Sequence, residues 1–411
     1  MSNAQWTDGT YRRLQHVLES YGMGLLFAAN IFGAGSIYIL TSTGANFGFS
    51  LLWVLPASLL VGLAVHEMSI RMAVRDQPLM AFIRDGIGDR PAKGFALFIA
   101  FIMHFWSVAN YALAGAALAY LTPLDNVLIW TVLAGAAGLA LVELKVYHRI
   151  ETVIAILVLA VFGSYLLLFF GVEVPVAAAA GGLVPTMNTD VGYLTMIIAL
   201  VGTTIYYPNF FIQTSMYGDK PFETLGRYRR DHTFGLLAAI LMSAAVLIIA
   251  AITVPTGESS LIDPARPLVA HAGQWALPVF VIAAGAASFS SATGTLFGAG
   301  FMVPQAFGLD TSFGDRPFRL VVEVLIALSV VLAVPILAFT DFTPVRLALL
   351  MPAVNGVVGL PATVVALYLA THEHYELSWF EDFSFVTAVA LMIVAALVTT
   401  QSLGSTIVQW V

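Results

Sequence analysis

Apolar runs long enough to cross a lipid bilayer as helices, about 18 residues or more, recur along nearly the whole chain. Inside hydrocarbon every backbone N–H and C=O must find an internal partner, so only helices and closed barrels span a membrane. None of these runs alternates as a barrel strand does. Hydropathy therefore predicts about eleven helical spans, near 21–43, 50–74, 93–121, 126–144, 148–171, 191–217, 231–254, 276–305, 317–339, 343–371 and 383–409. The composition agrees: 59% of residues are hydrophobic and only 10% charged, against about a quarter charged in soluble domains. The short connections leave no room for a soluble domain. Residues 1–20 are polar, and the first apolar run is too long for the core of a cleavable signal. The chain has no cysteine, which excludes disulfides, thiolate metal ligands and Cys nucleophiles. The net charge of -7 sits in the loops and predicts soluble rims and no nucleic-acid partner.

Lys and Arg set the orientation. Arg12, Arg13, Arg71, Arg75, Arg84, Arg90, Lys93, Lys145, Arg149, Lys220, Arg227, Arg229, Arg230, Arg316 and Arg319 fall on one side of the predicted spans; only Arg266 and Arg346 fall on the other. The positive-inside rule then predicts a multi-pass protein of the cell (plasma or inner) membrane, N-terminus cytoplasmic and C-terminus outside. The loop "HEHYELSWFED", residues 372–382, is acidic where the rule prefers basic residues, so it argues against the last span's orientation.

Two spans carry interruptions. In "NIFGAGSIY", residues 30–38, Gly33 and Gly35 each lower helix propensity by about 1 kcal/mol relative to alanine. In "TTIYYPNFF", residues 203–211, Pro208 removes a backbone donor and clashes with the preceding turn. Membrane helices also use Gly and Pro for packing and kinks. These two breaks, however, occupy the first and sixth spans, matching positions of two five-span halves. Paired interrupted helices in matching positions point to a transporter site at the bilayer midplane.

Longer stretches resemble a known family. "GMGLLFAANIFGAGSIYILTSTGANFGFSLLWVL" is similar to the first span and following loop of the NRAMP (natural resistance-associated macrophage protein) metal transporters. "HRIETVIAILV" resembles the family's fifth-span opening, "GGLVPTMNTDVGYLTMIIALVGTTIYYPNFFIQTS" its sixth span, and "SSATGTLFGAGFM" its eighth. The likeness runs in order over roughly residues 15–372. It implies an all-α polytopic membrane protein of leucine-transporter type: an inverted 5+5 repeat plus one extra helix, with helices 1 and 6 broken and transport by alternating access. In this chain that means a cytoplasmic segment 1–20, a first repeat 21–171, an extracellular loop 172–190, a second repeat 191–371 and an additional helix 383–411. The family implies transmembrane transport of a divalent metal ion such as Mn, Fe or Mg, by symport with protons.

The family's metal-binding residues are replaced. Its first break reads Asp-Pro-Gly-Asn, and the matching positions here are Gly33, Ala34, Gly35 and Ser36. Its sixth-span Met-Pro-His is matched by Tyr206, Tyr207 and Pro208, or, with the prolines aligned, Asn209 takes the histidine place. The acids of its third-span proton path have no counterpart, because residues 94–124 contain neither Asp nor Glu. His66 stands at the place of a second-span glutamine. What remains for a site is Asn30, Gly33, Gly35, Ser36, Tyr206, Tyr207 and Asn209, together with freed main-chain groups. A divalent ion at the bilayer centre needs hard oxygen ligands and normally a carboxylate; soft metals prefer imidazole or sulfur. Half-helix N-termini near Ser36 and Asn209 would supply partial positive charge. The residues thus favour a small anion or carboxylate solute, with a weakly selective transporter of hydrated Mg²⁺ or a channel-like protein as alternatives.

Further polar residues in spans are candidates for the pathway or coupling: His66, His104, Asn110, Gln213 and Asn355. Their bland readings are interfacial anchoring for His66, satisfied carbonyls for His104 and helix bridging for the amides. Enzyme readings fail on the same residues. Lys93, Lys145 and Lys220 are the only lysines and lie in loops, so no span offers a retinal-binding amine. "HEMSIR" lacks the second histidine of a zinc protease, and "AASFSSATGTLFGAG" looks like close helix packing rather than a nucleophile site. No cofactor is expected. The expected partners are a small ion or polar solute and the lipid bilayer, with the protein acting as a monomer.

Overall fold

The structure, a computed structural model, describes residues 34–73, 77–144, 160–161, 163–186, 188–216, 225–257, 259–390 and 392–394. The described residues form helices and connecting turns, without strands. In chain order these are α1 (Ala34–Phe47), α2 (Val54–Ala73), α3 (Leu79–Ile87), α4 (Asp89–Leu121), α5 (Val127–Glu143), α6 (Val176–Gly181), α7 (Val191–Thr204), α8 (Pro208–Met216), α9 (Leu225–Thr253), α10 (Arg266–Ala272), α11 (Ala276–Ala306), α12 (Arg316–Phe339), α13 (Pro344–Val354) and α14 (Leu360–His372). A further helix covers 379–390.

Seven of these units are long and apolar enough to cross a membrane, counting α7 with α8 and α13 with α14 as one each. Their limits follow the hydropathy within a few residues. Start signals explain several. Asp190 caps α7 by accepting from the Tyr193 amide at 2.9 Å, Asn126 caps α5 through Ile129 at 3.1 Å, and Thr343 caps α13 through Arg346 at 3.2 Å, with Pro344 at the first helical position, where its missing donor costs nothing. The predicted first, fifth and last spans lie partly outside the described residues.

Helix packing relies on small residues, as expected where hydrocarbon replaces water as solvent. α4 and α11 form the most extensive pair, and α9 packs along α1. Gly202 of α7 lies against Gly356, so that a Cβ on Gly202 would strike the Pro352 carbonyl and come within 2.8 Å of the Gly356 nitrogen. The tenth span is interrupted, which the sequence reading did not anticipate. Between α13 and α14, residues Asn355–Gly359 form one π-helical turn. Such bulges are frequent at functional sites.

Candidate functional site

The sixth span unwinds beside the proline, but at Ile205–Tyr207, two residues before the expected Tyr207–Asn209. α7 ends at Thr204, Ile205–Tyr207 are non-helical, and α8 begins at Pro208. Asn209, expected within the unwound stretch, instead lies in the first turn of α8. Its amide donates to the Tyr206 carbonyl, and the Phe210 amide to the Tyr207 carbonyl, both at 3.1 Å. These two N–H groups are therefore already used. The helix dipole remains, but the expectation of free amides beside Asn209 is corrected.

Several elements converge on the break. The Tyr206 hydroxyl hydrogen-bonds Thr295 of α11, and its ring sits 5.5 Å from that of Trp106 of α4. The Tyr207 hydroxyl donates to Asn355 Oδ1 at 2.6 Å, and Asn355 in turn donates to the Met351 carbonyl at 2.9 Å. Gly359 completes that slot, since a Cβ there would lie 2.5 Å from the Tyr207 oxygen. Ser36, at the start of α1, hydrogen-bonds Thr203 in the last turn of α7. Asn110, one turn from Trp106, donates to the Trp106 carbonyl at 2.9 Å, while its buried Oδ1 has no hydrogen-bond partner. Tyr206, Tyr207, Asn209, Ser36, Asn110 and Asn355 are all buried. Asn30 and Gly33 lie outside the described residues. Gly35 is helical, and a Cβ there would rest 3.8 Å from the Ala348 carbonyl of α13.

The remaining candidates divide. His66 and Gln213 meet around His232 of α9. His104 does not join the site. Its Nδ1 pairs with the Phe101 carbonyl of its own helix, and its ring is flanked by Phe101 and Phe105 at 4.9 and 4.3 Å. No hydrogen bond among the described residues links it to the break. Glu67 is an anchor: it binds Arg71 at 2.8 Å and also Arg229 of α9, while Arg71 reaches Glu381 at 2.9 Å. Arg319 pairs with Glu143 at 2.5 Å.

Thr203, Thr295 and His232 were not singled out from the sequence. Thr295 lies in a run that reads as close packing, and Thr203 opens the stretch whose signal is Pro208. His232, in "RYRRDHTF", lies among the basic residues that set orientation, although a histidine opening an apolar run was the available signal.

Among the described residues no group of three or more His, Asp or Glu is placed to hold a metal ion. The side chains hydrogen-bonded at the break, Ser36, Thr203, Tyr206, Tyr207, Thr295 and Asn355, are hydroxyls and a carboxamide, without a carboxylate. At the α1–α13 end, a cavity of about 530 Å³ lined by Ser42, Ser260, Thr343 and Arg346 opens beside the connection between α9 and α10. Tyr38 of α1 fastens that connection by donating to the Leu261 carbonyl at 3.0 Å.

Residues 24–402 match the model of the Nramp family, described as natural resistance-associated macrophage protein-like. The chain belongs to the Nramp family. Among its relatives, the divalent metal cation transporter MntH of Listeria welshimeri is 24% identical over 402 residues, covering 90% of this chain and 87% of that protein. The MntH of Xylella fastidiosa is 23% identical over 256 residues, so the match spans about half of that protein's length, 52%. A crystal structure of the Eremococcus coleocola manganese transporter, in complex with an aromatic bis-isothiourea substituted compound, superposes with a TM-score of 0.69 at 20% identity, covering 93% of this chain and 86% of that one. Mhp1, a nucleobase-cation-symport-1 family transporter, gives 0.56 at 16% identity, covering 92% and 93%. These neighbours share the leucine-transporter-type fold, and this Nramp chain has it.

Proposed function

We propose that this Nramp-family protein is a multi-pass secondary transporter that moves a small solute by alternating access through the unwound segment Ile205–Tyr207. Residues 21–171 and 191–371 act as its two five-helix repeats and 383–411 as an additional helix, with the N-terminus in the cytoplasm. The solute sits among Ser36, Tyr206, Tyr207 and Asn209, with Asn30 and Gly33 contributed by the first break and Gly35 by the first turn of α1. Interrupted helices at the midplane give two half-helix ends and freed carbonyls to a solute without exposing backbone to lipid.

The observation that carries the choice of solute is the neutral lining of the break. Tyr206 engages Thr295, Tyr207 engages Asn355 and Ser36 engages Thr203, all uncharged groups. A dehydrated divalent cation held there keeps an uncompensated charge in low dielectric, at a cost of several kcal/mol. A small anion or carboxylate solute suits the positive end of the α8 dipole, with the hydroxyls of the break exchanging their present partners for it. The relatives' names favour a second reading, a divalent metal cation, because two MntH proteins and a manganese transporter are its similar proteins.

A liposome uptake screen separates the two. Purified protein is reconstituted and offered Mn²⁺, Mg²⁺, bicarbonate and small carboxylates, with and without ion gradients. Saturable uptake of bicarbonate or a carboxylate supports the proposal. Saturable Mn²⁺ uptake with no anion uptake overturns it in favour of the metal reading.

A further inference from the structure

Beside α8, two histidines from different helices share a hydrogen bond inside the bundle. Nε2 of His232 on α9 lies 2.7 Å from Nδ1 of His66 on α2, and the ring centroids are 4.1 Å apart. Both rings are buried, with side chains 2% and 4% exposed. The Phe210 ring of α8 meets the His66 ring edge-on at 4.8 Å. Gln213, also on α8, sets its amide nitrogen 3.4 Å from Nδ1 of His232.

Two proton arrangements fit this geometry. In the first, Gln213 donates to His232 Nδ1, His232 Nε2–H donates to His66 Nδ1, and His66 bears its hydrogen on Nε2. In the second, the Gln213 amide is turned over, each hydrogen moves along the row, and His66 Nε2 is a bare lone pair. Either way His66 Nε2 is buried without a hydrogen-bond partner. Leaving such a group unsatisfied costs about 1–3 kcal/mol, and an ionisable side chain kept inside a membrane bundle is a functional candidate by default.

We propose that the His66–His232 pair is the proton-binding site of this transporter and takes up one proton as a unit. Both arrangements converge on one charged form: hydrogens on both outer nitrogens, a single hydrogen shared between the rings, and Gln213 turned so that its oxygen accepts from His232. From the first arrangement, uptake reorients a side chain of α8, the half-helix that begins at the break; from the second it only fills the bare His66 Nε2. A second proton would place two positive charges about 4 Å apart, so the pair titrates as one group. The inference rests on the transport reading only for the word transporter.

Among the described residues, the nearby charged groups are engaged elsewhere, and His232 makes a further interaction of its own. On α2, Glu67 is bound by Arg71 and Arg229, and Arg71 by Glu381. On α9, Asp231 has its own interaction partner, and Tyr228 carries no charge at neutral pH. α7 and α8 bring Thr203, Thr204, Asn209 and Gln213, none ionisable. The α3 and α14 ends bring Arg84, which pairs with Asp89, Asp85 and the exposed His372. With residues 94–124 free of acids, imidazole is the remaining side chain that ordinarily changes charge near neutral pH.

The test reads protonation directly. The full chain, labelled with ¹⁵N-histidine and held in lipid nanodiscs, is titrated from about pH 5 to pH 9 across the ordinary imidazole range, with His66→Gln and His232→Gln used to assign the rings. The expected result is that two of the eight histidines shift together and gain one proton between them. Rings that titrate independently, or that stay neutral throughout, overturn the proposal, and the wild-type spectrum decides this even if a variant fails to fold. Because the measurement needs no solute, a titrating pair in a protein that accumulates nothing would end the transport reading while leaving the site intact.

Discussion

The Tyr207 hydroxyl donates to Asn355 Oδ1 at 2.6 Å, tying the unwound segment of the sixth span to the π-helical turn of the tenth. Both residues are buried, so the bond joins two irregular stretches of backbone from separate helices. Removing only the hydroxyl strands a buried carbonyl oxygen and costs about 1–3 kcal/mol, whereas replacing both partners by apolar groups is nearly neutral. Tyr207→Phe is therefore expected to lower the melting temperature of the detergent-purified protein, and Tyr207→Phe with Asn355→Leu to recover most of the loss. Additive destabilisation in the double variant would show that the two side chains act independently.

How much of this was legible beforehand depends on the physical signal. Spans such as 276–305 and 317–339 were placed within a residue or so because a bilayer imposes a length that hydropathy reports directly. The sixth-span break was legible because Pro208 cannot donate. The π turn at Asn355–Gly359 was not, since Gly356 and Gly359 have close-packing roles that show only when Gly202 and Tyr207 lie against them. His66 and Gln213 were recognisable as polar residues in spans, but their meeting at His232 depends on packing between α2, α8 and α9, which hydropathy does not encode. His104 read as a pathway candidate on depth alone, and the structure turns it towards its own helix and two phenylalanines.

Gly202 tests the close approach of α7 and α13. Its missing side chain faces the Pro352 carbonyl and the Gly356 nitrogen, backbone atoms that cannot swing aside. Gly202→Ala is expected to push the two helices apart and to cost 1–3 kcal/mol or more, in the range for overpacked cores (roughly). Gly226→Ala on α9 is the control, because nothing lies within 4 Å of a Cβ there. Equal thermal stability of the two variants would mean that α7 and α13 do not pack as described.

Arg71 and Arg229 both bind Glu67, yet they are not equivalent. Arg71 also pairs with Glu381, whose side chain is 1% exposed, whereas the Arg229 side chain is 47% exposed. Breaking a buried pair from one side leaves a buried charge and costs about 3–5 kcal/mol; an exposed pair contributes about 0–1 kcal/mol. Arg71→Ala is expected to destabilise far more than Arg229→Ala, and adding Glu381→Gln to Arg71→Ala to restore part of the loss. Chemical denaturation in detergent measures both differences, and similar losses for the two arginine variants would contradict the assignment.

Over metals, the relatives' names and the lining of the break disagree. Mn²⁺ and Cd²⁺ sites draw on carboxylate oxygen and, for the softer ion, sulfur, and the break presents Tyr206 and Tyr207 already engaged with Thr295 and Asn355. Ser36 is likewise bound to Thr203, so a cation would have to displace neutral hydrogen bonds without gaining a counter-charge. The wild type is expected to show no saturable Mn²⁺ or Cd²⁺ binding at micromolar concentration by calorimetry. The triple variant Gly33→Asp, Ser36→Asn and Tyr206→Met restores the charge and the soft ligand at the matching positions, and is expected to gain binding. Micromolar Mn²⁺ binding by the wild type that is lost on Ser36→Ala or Asn209→Ala would place the metal at the break and return the solute to the class named in its relatives.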